Sequence, residues 1–199
     1  MISEFLVVVV SLFAIVDPLA SISIFVSMFS NSSRKKQNKA AMEAVVAALC
    51  LLFVFAVVGL PLLTYLNISV PAFMIAGGLL LLFLAFEFVA GVIPKSRSIE
   101  KDTSDAVVPL GTPLLAGPGA ITSVIFFTHI YGLSITLPAI IIVMVLSFFC
   151  YWGSMRINRI VGKNGLKILS RIMGLITAAI AVSLIEKALI AYGLISAVT

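Results

Sequence analysis

The chain is poor in the residues from which most enzyme sites are built. Its 199 residues include one histidine, two cysteines and eight carboxylates. His129 has no second histidine with which to share a metal, and Cys50 and Cys150 lie in separate apolar runs. That leaves no zinc spacing, and both thiols read as small packing hydrophobes rather than a disulfide framework. A phosphate-binding glycine loop and a dinucleotide fingerprint are missing as well. No general base stands beside a nucleophile, so neither an enzyme nor a bound cofactor is expected. Charge is scarce too, at 11% of residues, where a soluble domain carries about 25%.

What fills the chain instead is apolar. Hydrophobic residues make up 62% of it and the mean hydropathy is +1.25. A soluble domain of this composition would leave too much apolar surface in water, so the reading is an all-α, polytopic membrane protein. A spanning helix needs about 20 apolar residues. Six runs qualify: 5–29, 40–66, 70–93, 106–130, 133–155 and 172–192. Between them lie polar links at 30–39, 67–69, 94–105 and 156–171, and a turn around Gly132. A bilayer leaves no water for unpaired backbone groups, so six apolar runs predict six transmembrane helices.

The basic residues orient them. Arg34, Lys35, Lys36 and Lys39 follow the first span, and Lys95, Arg97 and Lys101 follow the third. Arg156, Arg159, Lys163, Lys167 and Arg171 follow the fifth, leaving Lys187 alone elsewhere. Twelve of thirteen Lys and Arg thus sit in alternate links. By the positive-inside rule these links are cytoplasmic, with both termini outside a cytoplasmic (inner) cell membrane. The net charge of +5 is explained by this placement, and no nucleic-acid partner is needed. Residues 1–5 lack a basic n-region, so a cleaved signal is not expected.

The apolar runs carry a repeat. Span one contains Asp17-Pro18-Leu19-Ala20-Ser21-Ile22-Ser23, and span four contains Gly117-Pro118-Gly119-Ala120-Ile121-Thr122-Ser123. Pro, Ala and Ser recur at an offset of 100 residues. Gly78-Leu79 in span three is echoed by Gly174-Leu175 in span six. Three spans per half is an odd number, so the halves insert with opposite topology. The expected organisation is a single transmembrane domain over 1–199. It comprises a first three-helix repeat (1–93), a cytoplasmic linker (94–105) and a second repeat (106–199).

Both motifs fall near the middle of their runs. A mid-helix proline lacks an N–H and clashes with the carbonyl four residues earlier, which for Pro18 is that of Ala14. Helices one and four are therefore expected to break near the midplane, where free amides, carbonyls and hydroxyls collect. The candidate substrate-binding residues are Asp17, Pro18, Ser21, Ser23, Gly117, Pro118, Gly119, Thr122 and Ser123. Each also has a structural reading: Pro and Gly are common in membrane helices, and Ser and Thr often bond back to their own helix.

Asp17 is the one carboxylate expected deep in the membrane, and an intramembrane ionisable residue points to function by default. Burial disfavours its anion, which suits a proton-coupling carboxyl. A helix N-cap before proline is the structural alternative, and the two are compatible. Glu87, paired by the repeat with Ser183, reads either as cavity-lining or as snorkelling. Glu43, Glu186, Lys187 and His129 read as interfacial. Gly77-Gly78 fits internal packing and a dimer face equally well, so a homo-oligomer stays open.

Residues 107–122 (VVPLGTPLLAGPGAIT), the DP of span one, AGGLL (76–80) and SRIMGLI (170–176) together resemble the MarC family of bacterial and archaeal membrane proteins. The resemblance runs nearly end to end. It implies six helices in two inverted halves, outward termini and kinship with the lysine-exporter superfamily. Some members are described as neutral amino acid transporters. Asp17-Pro18 matches the family's Asn/Asp-Pro and 117–122 its second motif. Ala20 and Ser23 depart from a Gly and a second Pro, and Ser183 stands where polar or acidic residues are common.

The reading that follows is a secondary transporter of small neutral amino acids or similar polar solutes, with proton coupling through Asp17 and membrane lipid as its surroundings. A cation exporter or channel using Asp17 is the alternative, weakened because hard-cation sites gather several oxygens. A non-transporting scaffold is the third.

Overall fold

A computed structural model describes residues 2–29, 32–90 and 115–195. The described residues form seven helices: α1 (Ile2–Val16), α2 (Pro18–Phe29), α3 (Arg34–Tyr65), α4 (Val70–Ala90), α5 (Pro118–Tyr131), α6 (Leu133–Trp152) and α7 (Ser154–Ala191). The expected all-α membrane protein is observed. Five stretches among the described residues are long and apolar enough to cross a membrane: Ile2–Val26, Arg34–Tyr65, Val70–Ala90, Leu133–Trp152 and Asn164–Ala191. Of the expected fourth span, α5 has 14 residues, or about 21 Å at the helical rise. The remainder of that span before Leu115 and the expected linker 94–105 lie outside the described residues.

Local chemistry sets the helix ends. The Ser33 hydroxyl accepts from the Lys36 amide at 3.4 Å and caps α3. Gln37 Nε2 donates to the carbonyls of Phe29 and Ser32, both at 2.9 Å, satisfying the end of α2. Ser69 accepts from the Ala72 amide at 3.3 Å at the start of α4. The expected turn at Gly132 is present, with φ 76°, a left-handed value that costs glycine nothing.

Two links differ from the sequence reading. Arg34 to Lys39 are the opening turns of α3, and 156–171 is helical except at Gly162, where φ 69° and ψ 169° kink α7. Charge was read there as loop because it cannot lie in hydrocarbon. The helices instead outrun the bilayer: 32 residues of α3 reach about 48 Å and Asn164–Ala191 about 42 Å, against a core of about 30 Å. Exposed basic side chains then occupy the overhang, with Lys39 paired to Glu43 at 3.7 Å.

Small residues bring the helices together. α4 packs antiparallel on α7, α3 on α6, α2 on α7 and α6, and α5 on α3 and α4, while α1 touches α5, α6 and α7. At the α4–α7 contact a Cβ added to Gly78 would meet the Ala181 carbonyl at 3.0 Å and the Ile185 side chain. One added to Gly174 would meet the Ala85 carbonyl at 3.1 Å and the side chains of Phe88 and Val89. Such close backbone approach is how membrane helices gain packing without a hydrophobic drive between them. The outward faces carry bulky apolar side chains such as Phe83, Phe86, Phe149 and Leu175, as a lipid-facing surface must.

Candidate functional site

The polar centre of the described bundle is the junction between α1 and α2. Pro18 has no N–H, so α1 cannot continue and the Ala14 carbonyl loses its helical partner. Asp17 makes the junction. Its amide still closes α1 by donating to the Phe13 carbonyl at 3.0 Å, while its own φ is 43°. Among L-residues with a Cβ, Asp and Asn tolerate this left-handed region best. Its Oδ1 accepts from the Ala20 amide at 3.2 Å, the N-cap bond of a helix with Pro at its first position. Its carbonyl accepts from the Ser21 amide at 3.4 Å and the Ser21 hydroxyl at 3.2 Å.

Two hydroxyls from α7 complete the junction. Thr177 Oγ1 donates to the Ala14 carbonyl at 3.2 Å, the group that Pro18 strands, and Ser170 Oγ donates to Asp17 Oδ2 at 3.2 Å. Seven residues separate them, so they share a face two turns apart. Asp17 and Thr177 have no exposed surface. Both carboxyl oxygens of Asp17 have a hydrogen-bond partner, the Ala20 amide on one and the Ser170 hydroxyl on the other. A serine hydroxyl both donates and accepts, so Ser170 can also receive a proton bond from the neutral acid.

The junction lies towards the basic end of the bundle. The glycine contacts set Gly78 opposite Ala181 and Gly174 opposite Ala85, and Ser69 meets Tyr192 at the far end. In that register Ser170 is level with the last residues of α4, and its reach fixes the depth of Asp17.

The second motif is built differently. Gly117 precedes α5 with extended backbone (φ −69°, ψ 171°) and offers no side-chain cap, and Pro118 is the first helical residue. Thr122 Oγ1 donates to the Pro118 carbonyl at 2.9 Å and Ser123 Oγ to that of Gly119 at 2.8 Å. Thr122 and Ser123 are buried, and Thr122 lies against Gly77, where any added Cβ would collide with it. A Cβ on Gly119 would meet Leu81 at 2.7 Å. Ser23 and Gly117 are half-buried and Pro118 is exposed. α1 packs against α5, which brings the two motif-bearing segments into one bundle. The hydroxyl protons of Ser21, Thr122 and Ser123 are held by their own helices, leaving lone pairs as what they can offer a solute.

Ser170 and Thr177 were absent from the sequence-derived candidates. The one signal was their position in and just after SRIMGLI, at a seven-residue spacing. Glu87 and Ser183 are half-buried, His129 is exposed in the last turn of α5, and Glu186 and Lys187 are exposed, with the Lys187 ammonium 5.5 Å from the Phe126 ring centroid. Among the described residues no group of three or more His, Cys, Asp or Glu could hold a metal ion.

Comparison with known proteins agrees from end to end. A family model described as MarC family integral membrane protein matches residues 2–192. A UPF0056 membrane protein of Pyrococcus abyssi is 33% identical over 184 residues, covering 91% of this chain and 92% of that protein. The UPF0056 membrane protein YhcE of Escherichia coli is 30% identical over 187 residues, covering 88% and 87%. One from Methanocaldococcus jannaschii is 32% identical over 187 residues, covering 88% and 90%. No solved structure matches.

Proposed function

The chain belongs to the MarC family of integral membrane proteins, and from that premise we propose that it is a secondary transporter of small neutral amino acids or similar polar solutes. The observation that carries the reading is Asp17: a fully buried carboxylate at a helix interruption, bonded across the bundle by Ser170. Structural economy does not explain it, because a glycine would make the left-handed turn without a buried charge, and burying a charge is costly unless it is used. In this proposal the solute ammonium or a coupling proton comes to the Asp17 carboxylate, and Ser170 reverses its hydrogen bond as the charge is neutralised. The lone pairs of Ser21, Thr122 and Ser123 orient the solute.

Alternating access in this proposal rests on an inverted repeat, which the α4–α7 contacts support. Gly78 meets Ala181 and Ile185, while Gly174 meets Ala85, Phe88 and Val89. Adding 96 to 78, 85 and 89 gives 174, 181 and 185, so exchanging the halves maps the first set of contacts onto the second. α2 and α5 both open on a proline, 100 residues apart, and α2 packs on α7 as α5 does on α4. Such halves rock against each other about a shared axis. With the basic ends cytoplasmic and the termini outside, Asp17 lies on the cytoplasmic side of that axis.

The test is counterflow of labelled alanine, serine and glycine in liposomes at two pH values, with Asp17→Asn beside the parent. Saturable, pH-dependent flux that collapses in the variant supports the proposal. Flux that survives reduces Asp17 to a helix cap, and no flux from folded protein refutes the amino acid assignment.

A further inference from the structure

A second feature lies beside the junction and has no polar chemistry. A pocket of about 480 Å³ opens on the side of the bundle between α1, α6 and α7. Val10, Leu146, Phe149 and Ile176 form an exposed rim, and Phe13, Ala14, Cys150 and Met173 are among the residues beneath. The rim residues belong to stretches long and apolar enough to cross a membrane, so in a bilayer the opening faces hydrocarbon rather than water. An apolar cavity facing lipid has one natural filling, because a void forfeits dispersion contacts and water has no polar partner there.

The charge carried by α7 selects the kind of lipid. The two parts of α7 that give the pocket Ile157 and Met173 also carry Arg156, Arg159, Lys167 and Arg171, all exposed. Among the described residues none of these four cations has a carboxylate within ion-pair distance. Basic groups beside clefts between helices at the cytoplasmic face are a recurrent seat for anionic head groups. We propose that this pocket holds one acyl chain of an anionic phospholipid from the leaflet on the basic side, with its phosphate held by Arg156 and Arg159 at the start of α7.

The position gives the lipid a consequence. Its chain lies on Phe13 and Ala14, the last turn before the interruption, and on Met173 and Ile176, between and beside the Ser170 and Thr177 that bond it. A seated chain braces α1 against α7 at the junction and closes it to the bilayer. Bilayer composition then acts on the junction directly.

Cys150 allows a reversible test, since it lines the pocket and the other cysteine is replaced in Cys50→Ser. Purified protein is titrated with phosphatidylglycerol or phosphatidylcholine and the retained lipid counted by native mass spectrometry. The expected result is one phosphatidylglycerol held with about tenfold preference or more, since each nearby arginine contributes about a factor of five. Arg156→Gln with Arg159→Gln should remove the preference. A hexyl thiosulfonate coupled to Cys150 should displace the lipid, and reductant should restore it, which separates pocket filling from misfolding. Equal retention of the two lipids overturns the proposal. So does preference that survives the arginine changes, or binding that persists with the hexyl group in place.

Discussion

Thr177→Val tests the construction of the junction most directly. Valine keeps the branched shape and nearly the volume of threonine, so the change removes one hydroxyl from a site with no exposed surface. The Ala14 carbonyl, already stranded by Pro18, then loses its bond from α7 at 3.2 Å. An orphaned buried acceptor costs about 1–3 kcal/mol, whereas interhelical bonds in membranes average about 0.6 kcal/mol and reach about 1.7. Because no helical amide covers this carbonyl, a loss of about 1–2 kcal/mol is expected, towards the upper end of the membrane range. Ser147→Ala is the matched control. That hydroxyl is also buried, but it donates to the Val143 carbonyl of its own helix at 2.7 Å, where the helical amide remains as partner. Its removal should cost less than about 0.5 kcal/mol. Reversible unfolding in mixed micelles, followed by circular dichroism, measures both. Equal costs for the two variants would refute the idea that Thr177 substitutes for the amide proline lacks.

Asp17→Ala should destabilise more than Asp17→Asn, by about 1–2 kcal/mol in the same unfolding assay, because alanine loses the cap and is poorer at φ 43°. Gly77→Ala should destabilise by about 1–3 kcal/mol through overpacking against Thr122, and Thr122→Ser should recover part of that loss by removing the methyl group. Gly162→Ala, at φ 69° and ψ 169° with open space around it, should cost about 1–3 kcal/mol from backbone strain alone, with no compensating change in neighbours. No loss of stability in Gly162→Ala would contradict that assignment.

The interruption of the first run was legible because proline acts locally: Asp17-Pro18 names both the cap and the carbonyl it frees. What covers that carbonyl was not legible. Thr177 lies 163 residues away, and a hydroxyl in an apolar helix looks the same in sequence whether it bonds its own backbone or a neighbour. Thr122, Ser123, Thr136 and Ser147 all bond four residues back, and Ser170 and Thr177 bond across. The basic links were misread for a related reason. Charge reports where hydrocarbon ends, and α3 and α7 continue past that point as helix.

The two proline motifs show why similar sequence does not make equal sites. Asp17 and Gly117 both precede a proline that opens a helix, and both carbonyls accept from the amide four residues on. At position 117 the backbone is extended at φ −69°, a conformation open to any residue, so glycine there is not required by the turn itself. Its neighbours Gly119 and Gly77 are required, because α4 and α5 approach until side chains touch backbone. At position 17 the left-handed turn favours glycine, yet an aspartate stands there, held by Ser170. One motif thus spends its small residues on packing, and the other accepts backbone strain to place a carboxylate. In the proposed repeat that asymmetry leaves one carboxyl, set to the cytoplasmic side of the shared axis, so a single proton or ammonium is enough to bias how the halves rock.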